Sequence, residues 1–143
     1  MGSSNGCNGG YANSCPNYAL KNKIIPEAEL PYKAIDYQNN NCTVGIPALA
    51  NAAGKTRFQI KSYRWLTGCQ LVTRFLFRVG PISICTTTDN NWFTYKSGTI
   101  IPSCSPKAGS GHCYLLVGAS VKSRGTAAQN FWKFKNSWGT GWG

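Results

Sequence analysis

The sequence predicts an α+β fold whose second half is an antiparallel sheet or barrel, and three observations predict it. A single strongly amphipathic helical segment stands at 68–79. Strand-like segments follow it one after another. The first half is punctuated by Gly, Asn and Pro too densely for long regular elements. At 143 residues the chain can bury one ordinary core, and 42% hydrophobic with 13% charged residues marks it as globular rather than disordered. No apolar run approaches the ~18 residues a membrane-spanning helix needs.

Residues 1–10 read as a turn-dense loop. A short helix is expected at about 12–22, burying Ala12, Cys15, Ala19 and Leu20, and extended loop at 25–54. In the 68–79 helix, Leu71, Val72, Phe75, Leu76 and Val79 form the apolar stripe. Thr67 and Gln70 have the spacing of a capping box, Leu66 and Leu71 that of a hydrophobic staple, and Gly80-Pro81 stops the helix. Strands are expected at 82–86, 94–101, 113–121 and 130–135.

Fifteen Lys and Arg against four acidic residues give a net charge of +11. A basic surface can serve nucleic acid or an anionic membrane, but these residues are scattered, with no run of four and no RNA-recognition signature. A nucleic-acid-binding module would therefore rest on charge alone, and neither nucleic acid nor membrane is expected as a partner. Seven cysteines point to an oxidising compartment, and the odd number leaves at least one thiol free or paired outside the chain. With no C-x-x-C pair and one histidine, His112, no metal site and no cofactor are expected. Cys69, buried in a helix stripe, and Cys85, in a strand, read as structurally inert. The sequon Asn41-Cys42-Thr43 fits a secretory route, although residues 1–6 carry no signal-peptide pattern.

The last two predicted strands are separated by Lys122-Ser123-Arg124-Gly125-Thr126, a polar turn-forming stretch. A hairpin centred there sets His112 opposite Asn136 and puts Trp132, Phe134 and Asn136 on one face, with Phe131, Lys133 and Lys135 on the other. An Asn oxygen that accepts from one ring N–H orients an imidazole and leaves its other nitrogen for a thiol. Trp138 and Trp142 are available as aromatic cover. On spacing alone, a histidine held for structural reasons at a strand start is the favoured reading.

The local sequences add to this. Asn136-Ser137-Trp138-Gly139-Thr140-Gly141-Trp142-Gly143 and Gly111-His112-Cys113-Tyr114-Leu115-Leu116-Val117-Gly118 resemble the Asn-box and His-box of the papain-like cysteine peptidases. Gly6-Cys7-Asn8-Gly9-Gly10, Glu29-Leu30-Pro31-Tyr32 and Gly80-Pro81-Ile82-Ser83-Ile84 resemble three further segments of that family, in the family's order. The resemblance implies a papain-like domain in two parts: a cleft loop and helical-half remnant at about 1–66, then a helix and β-barrel half at about 67–143. His112 is then the general base, Asn136 its orienter and Trp138 the shielding indole. Trp142 walls the leaving-group side of the cleft. Gly10 holds extended substrate through backbone hydrogen bonds. Tyr11, Ala12, Cys85, Ser110 and Cys113 fall at the S2 pocket, with strand core an equal alternative for Cys85 and Cys113; Gly9, Gly111 and Trp138 complete the implied substrate-binding set.

The resemblance also shows what is unmatched. The family's nucleophilic Cys and its oxyanion-hole Gln, both upstream of GCNGG, have no counterpart here, and the chain reads as a piece truncated at both ends. Cys113 neighbours His112, but adjacent strand residues point to opposite faces, so it is poorly placed to give its proton. Cys7, Cys42 and Cys104 align with half-cystines whose partners lie outside the chain, whereas Cys15 and Cys69 have none assigned. The expectations are an inactive isolated chain, poor solubility or a molten state from an uncovered apolar face, and a lysosomal or secreted parent acting on peptides. Cystatin-like or propeptide inhibitors are the implied protein partners. The alternative is a non-catalytic homologue that binds peptides.

Overall fold

The structure, a computed structural model, describes residues 9–28, 31–32, 58–98, 101, 110–120 and 130–143. The sequon, Cys7, Cys42, Cys104, the 122–126 turn and most of the 25–54 segment lie outside these residues. The chain divides into two units, residues 1–64 and 65–143.

In the first unit, α1 spans Ser14–Lys21, and the Tyr11 carbonyl accepts from the Ser14 N–H at 2.9 Å as the helix begins. The Asn22 backbone N–H and Nδ2 both donate to the Tyr18 carbonyl, at 2.8 and 3.1 Å, and close its last turn. Residues 58–63 dock on this helix. Ile24 and Phe58 exchange backbone hydrogen bonds, Gln59 Nε2 donates to the Leu20 carbonyl, and the Tyr63 hydroxyl donates to Asn17 Oδ1 at 2.7 Å. Of the four residues expected on the buried side, Ala19 is buried and Leu20 half-buried, but Ala12 and Cys15 are exposed. An eight-residue helix held mainly by polar ties needs only a narrow apolar contact.

The second unit contains α2 (Cys69–Arg78), β1 (Ile82–Thr88), α3 (Asn90–Phe93), β2 (Ser110–Ser120) and β3 (Phe131–Lys135). The three strands form an antiparallel sheet in the order β1-β2-β3, and α2 packs against β1 and β2. In α2, Leu76 is buried and Val72 and Phe75 are half-buried, while Leu71, Val79 and Cys69 are exposed. The stripe is thus narrower than the sequence pattern, and Cys69 is not buried.

The capping box expected at Thr67 is not used. The N-cap is Gly68, at φ 88° and ψ 139°, and no side chain caps the helix. This backbone region is open essentially only to glycine. A Cβ there would meet no atom within 4 Å, so the cost of Gly68→Ala is conformational rather than steric. That variant is expected to lose about 1–3 kcal/mol of stability in urea unfolding; an unchanged midpoint would contradict it.

The strand expected at 94–101 does not form over its described part. Asp89 caps a helical turn instead, its carboxylate accepting from the Asn91 N–H at 3.0 Å, and the Thr94 hydroxyl donates to the Asn90 carbonyl. This local side-chain chemistry outcompetes the β-propensity of Thr94 and Tyr95.

The core is small and aromatic. Trp92 is 3% exposed, stacks on Tyr114 with ring centroids 4.9 Å apart, and approaches Phe134 at 6.2 Å. Tyr114 meets Phe134 edge-on at 4.5 Å, and Leu116 is wholly buried. Burial alternates along the sheet as its two-residue period requires. His112, Tyr114, Leu116, Trp132 and Phe134 lie on the more buried face. Cys85, Cys113, Leu115, Val117, Lys133 and Lys135 lie on the exposed one.

Candidate active site

Two strands and the turn after them assemble the site. β2 presents His112, paired with Thr86 of β1, on the same face as the aromatic core. Asn136 follows directly on the last residue of β3. The register differs from the one expected: Leu115 pairs with Lys135 rather than with Lys133, and a bulge between Leu116 and Gly118 shifts it again. His112 and Asn136 are therefore not ladder partners. Because the side-chain period is two, a two-residue offset keeps both on one face, as diagonal neighbours that long side chains can bridge.

They do bridge. His112 Nε2 and Asn136 Oδ1 are 2.8 Å apart in a part-buried setting. The Ser137 backbone N–H also donates to Oδ1, at 2.8 Å. A backbone N–H can only donate, so the atom it meets is the carboxamide oxygen, and Nε2 must carry the hydrogen it shares with that oxygen. This tautomer leaves Nδ1 with its lone pair, facing away from the amide. Asn136 Nδ2 is buried with no hydrogen-bond partner among the described residues. The amide is thus held through its oxygen alone, and flipping it would forfeit two donors at once.

Indole rings cover the pair. The Trp138 ring lies 4.7 Å from the imidazole and stacks on Phe93, with centroids 5.2 Å apart and planes 4° apart. Trp142 meets Trp138 edge-on at 5.5 Å, and its Nε1–H donates to the Trp92 carbonyl at 2.7 Å. One short helix, α3, therefore supplies both the core residue Trp92 and the Phe93 ring beneath the cover. Excluding water from the Nε2–Oδ1 bond strengthens it.

His112 is the sole histidine, so one imidazole reports on this bond without assignment by mutation. Asn136→Ala is expected to remove the Nε2–H acceptor and give a mixture of ring tautomers. Long-range 1H–15N spectra showing the same single tautomer as the native chain would contradict that.

Cys85 and Cys113 pair across β1 and β2 and form a disulfide, which the sequence did not reveal. Both are exposed, as is Gly111, on the face away from the imidazole. Ser110 pairs with Thr88 at the strand start. Gly9, Gly10, Tyr11 and Ala12 belong to the 1–64 unit, where all four are exposed; Gly9 has φ 93° and Tyr11 is 66% exposed. Cys15 and Cys69 are free thiols. No group of three or more potential metal-binding side chains occurs among the described residues, and no described helix is long and apolar enough to cross a membrane.

An imidazole held by a carboxamide under an indole is one arrangement of base and orienter, and the whole sequence bears on which protein class uses it. The sequence model of the papain family cysteine proteases matches residues 1–143. The chain belongs to the papain family. Cathepsin J of Rattus norvegicus is 31% identical over 97% of this chain and 40% of its own length. Digestive cysteine proteinase 2 of Homarus americanus is 36% identical over 96% of this chain and 40% of its own. The viral cathepsin of Autographa californica nuclear polyhedrosis virus is 34% identical over 96% and 38%. The papain-family chain thus spans about two fifths of the length of these relatives. Its three-stranded antiparallel sheet with flanking helices is the α+β arrangement expected of the family.

Proposed function

We propose that this chain is the base-bearing part of a papain-like cysteine endopeptidase, with His112 as general base and acid and Asn136 as the residue that positions it. The observation that carries this reading is the 2.8 Å contact between His112 Nε2 and Asn136 Oδ1 beneath Trp138. With Nε2–H committed to the amide, Nδ1 takes the proton of a cysteine thiol. The thiolate attacks the scissile carbonyl carbon, and the imidazolium then gives that proton to the leaving amine. Water, deprotonated by the same nitrogen, releases the acid and frees the sulfur.

The nucleophile belongs to a segment outside these 143 residues. None of the seven cysteines stands in the family's nucleophile context; among the described ones, Cys85 and Cys113 are bonded to each other, and Cys15 and Cys69 lie in α1 and α2. The isolated chain is therefore inactive on this reading. Gly9, Gly10, Tyr11, Ala12, Ser110, Gly111 and Trp142 remain the substrate-contacting set implied by the family. Cys85 and Cys113 enter that set as one cystine wall rather than as two thiols. The substrates are peptides and proteins, with cystatin-like or propeptide chains as inhibitors. A disulfide and the high cysteine content support a lysosomal or secreted setting.

The test is direct. A full-length protein containing this segment is expected to hydrolyse a fluorogenic peptide amide and to be labelled by the epoxide E-64 at a cysteine outside residues 1–143. Purified 1–143 should do neither. Hydrolysis or labelling by the isolated chain would overturn the assignment of the nucleophile, and a full-length protein inert to both would overturn the peptidase reading.

A further inference from the structure

The stretch of β2 that carries His112 is held differently from the rest of the strand. β3 pairs with β2 from Ser120 only as far as Leu115, so among the described residues the 110–114 segment is laddered to β1 alone. The Cys85–Cys113 disulfide spans this β1–β2 ladder one rung from the Thr86–His112 pair. Among the described residues it is the covalent tie nearest the imidazole. Both half-cystines face outward on the exposed side of the sheet, where a thiolate can reach either sulfur. The opposite face is occupied by the imidazole and the aromatic core, so exchange at the sulfurs need not displace a packed side chain.

We propose that the Cys85–Cys113 disulfide is a thiol-exchange site whose redox state controls how His112 is seated against Asn136. The reacting partner is a small-molecule or protein thiol. Its thiolate attacks Sγ of one half-cystine, forming a mixed disulfide and releasing the other sulfur as a thiolate that takes a proton from water. A second thiolate attacks the mixed disulfide at the incoming sulfur. The two incoming thiols leave oxidised as their own disulfide, and Cys85 and Cys113 are both reduced. With the bridge open, the backbone ladder of the 110–114 segment runs to β1 with no covalent tie beside it, and the imidazole gains freedom relative to an amide anchored at the end of β3. The consequence for catalysis rests on His112 being the base; the exchange and the movement of the ring do not.

The experiment uses the 143-residue chain itself and reads no proteolysis, so it stands apart from the peptidase reading. Free thiols are first blocked with N-ethylmaleimide. The chain is then held in a glutathione redox buffer without denaturant, trapped with iodoacetamide and mapped by mass spectrometry, while the single imidazole is followed in long-range 1H–15N spectra. The expected result is carbamidomethylation at both Cys85 and Cys113 under reducing buffer, a shift of the imidazole 15N resonances, and far-UV circular dichroism that still shows the sheet. Cys85→Ala/Cys113→Val should display the reduced-state resonances in both buffers. If that variant does not fold, the two redox states of the native chain decide the matter alone. Resistance of the bridge until denaturant is added would overturn the proposal. So would an imidazole spectrum identical in both redox states, or loss of the sheet signal on reduction, which would make the bridge a global staple.

Discussion

Replacing His112 with alanine in the full-length protein is expected to lower kcat/KM for a peptide amide by about 10⁴-fold. On the proposed mechanism the ring supplies two proton transfers, one that makes the thiolate and one that expels the amine, and no neighbouring ring among the described residues can do either. Tyr114 and Trp138 lie near it, at 5.8 and 4.7 Å between ring centroids, but neither is a base at neutral pH. Asn136→Ala should cost less, about 10²-fold, because the imidazole remains and only its aim is lost. The order matters more than the magnitudes. A His112→Ala enzyme that keeps activity within about tenfold of the native level would remove the imidazole from the reaction. Thermal melts should match for native and variant, since the ring is only half-buried.

The second large effect concerns stability. Trp92→Ala is expected to lose about 3–5 kcal/mol in urea unfolding followed by circular dichroism. Trp92 is 3% exposed and its ring touches both Tyr114 and Phe134, so truncation leaves a cavity at the centre of the second unit. Its Nε1–H is buried without a partner among the described residues, so removing it strands no polar group. Trp92→Phe should therefore be nearly neutral: it keeps most of the ring contact and deletes an unsatisfied donor whose burial costs about 1–3 kcal/mol. The alanine variant should also disturb the site, because α3 carries Phe93 under Trp138 and the Trp92 carbonyl holds Trp142. A Trp92→Ala chain that unfolds within about 1 kcal/mol of the native one would show that the aromatic cluster is not the core.

Much of this was legible from residue order because it depends on local rules. The 3.6-residue stripe of α2, narrowed to Val72, Phe75 and Leu76, and the alternation of Phe131 to Lys135 follow from side-chain periodicity, and the helix stops before Gly80-Pro81 as backbone chemistry requires. The failures were of other kinds. Thr67 lost the cap position to Gly68, whose positive φ sets the entry to the helix without any side chain. Residues 94–98 lost strand character to a turn nucleated by the Asp89 carboxylate. In both places two local solutions competed, and propensity could not rank them.

By itself the sequence determined that one imidazole and one carboxamide exist in the right kinds of segment and share a sheet face. Parity along a strand is a property of residue number, and it survives a two-residue change in pairing. The tertiary structure decided the register, the bulge at Leu116/Gly118, the burial of Trp92 and the meeting of Cys85 with Cys113. These depend on distances between residues far apart in the chain, which are set by how strands slide and twist to bury Tyr114, Leu116 and Phe134, and no local rule encodes that sliding.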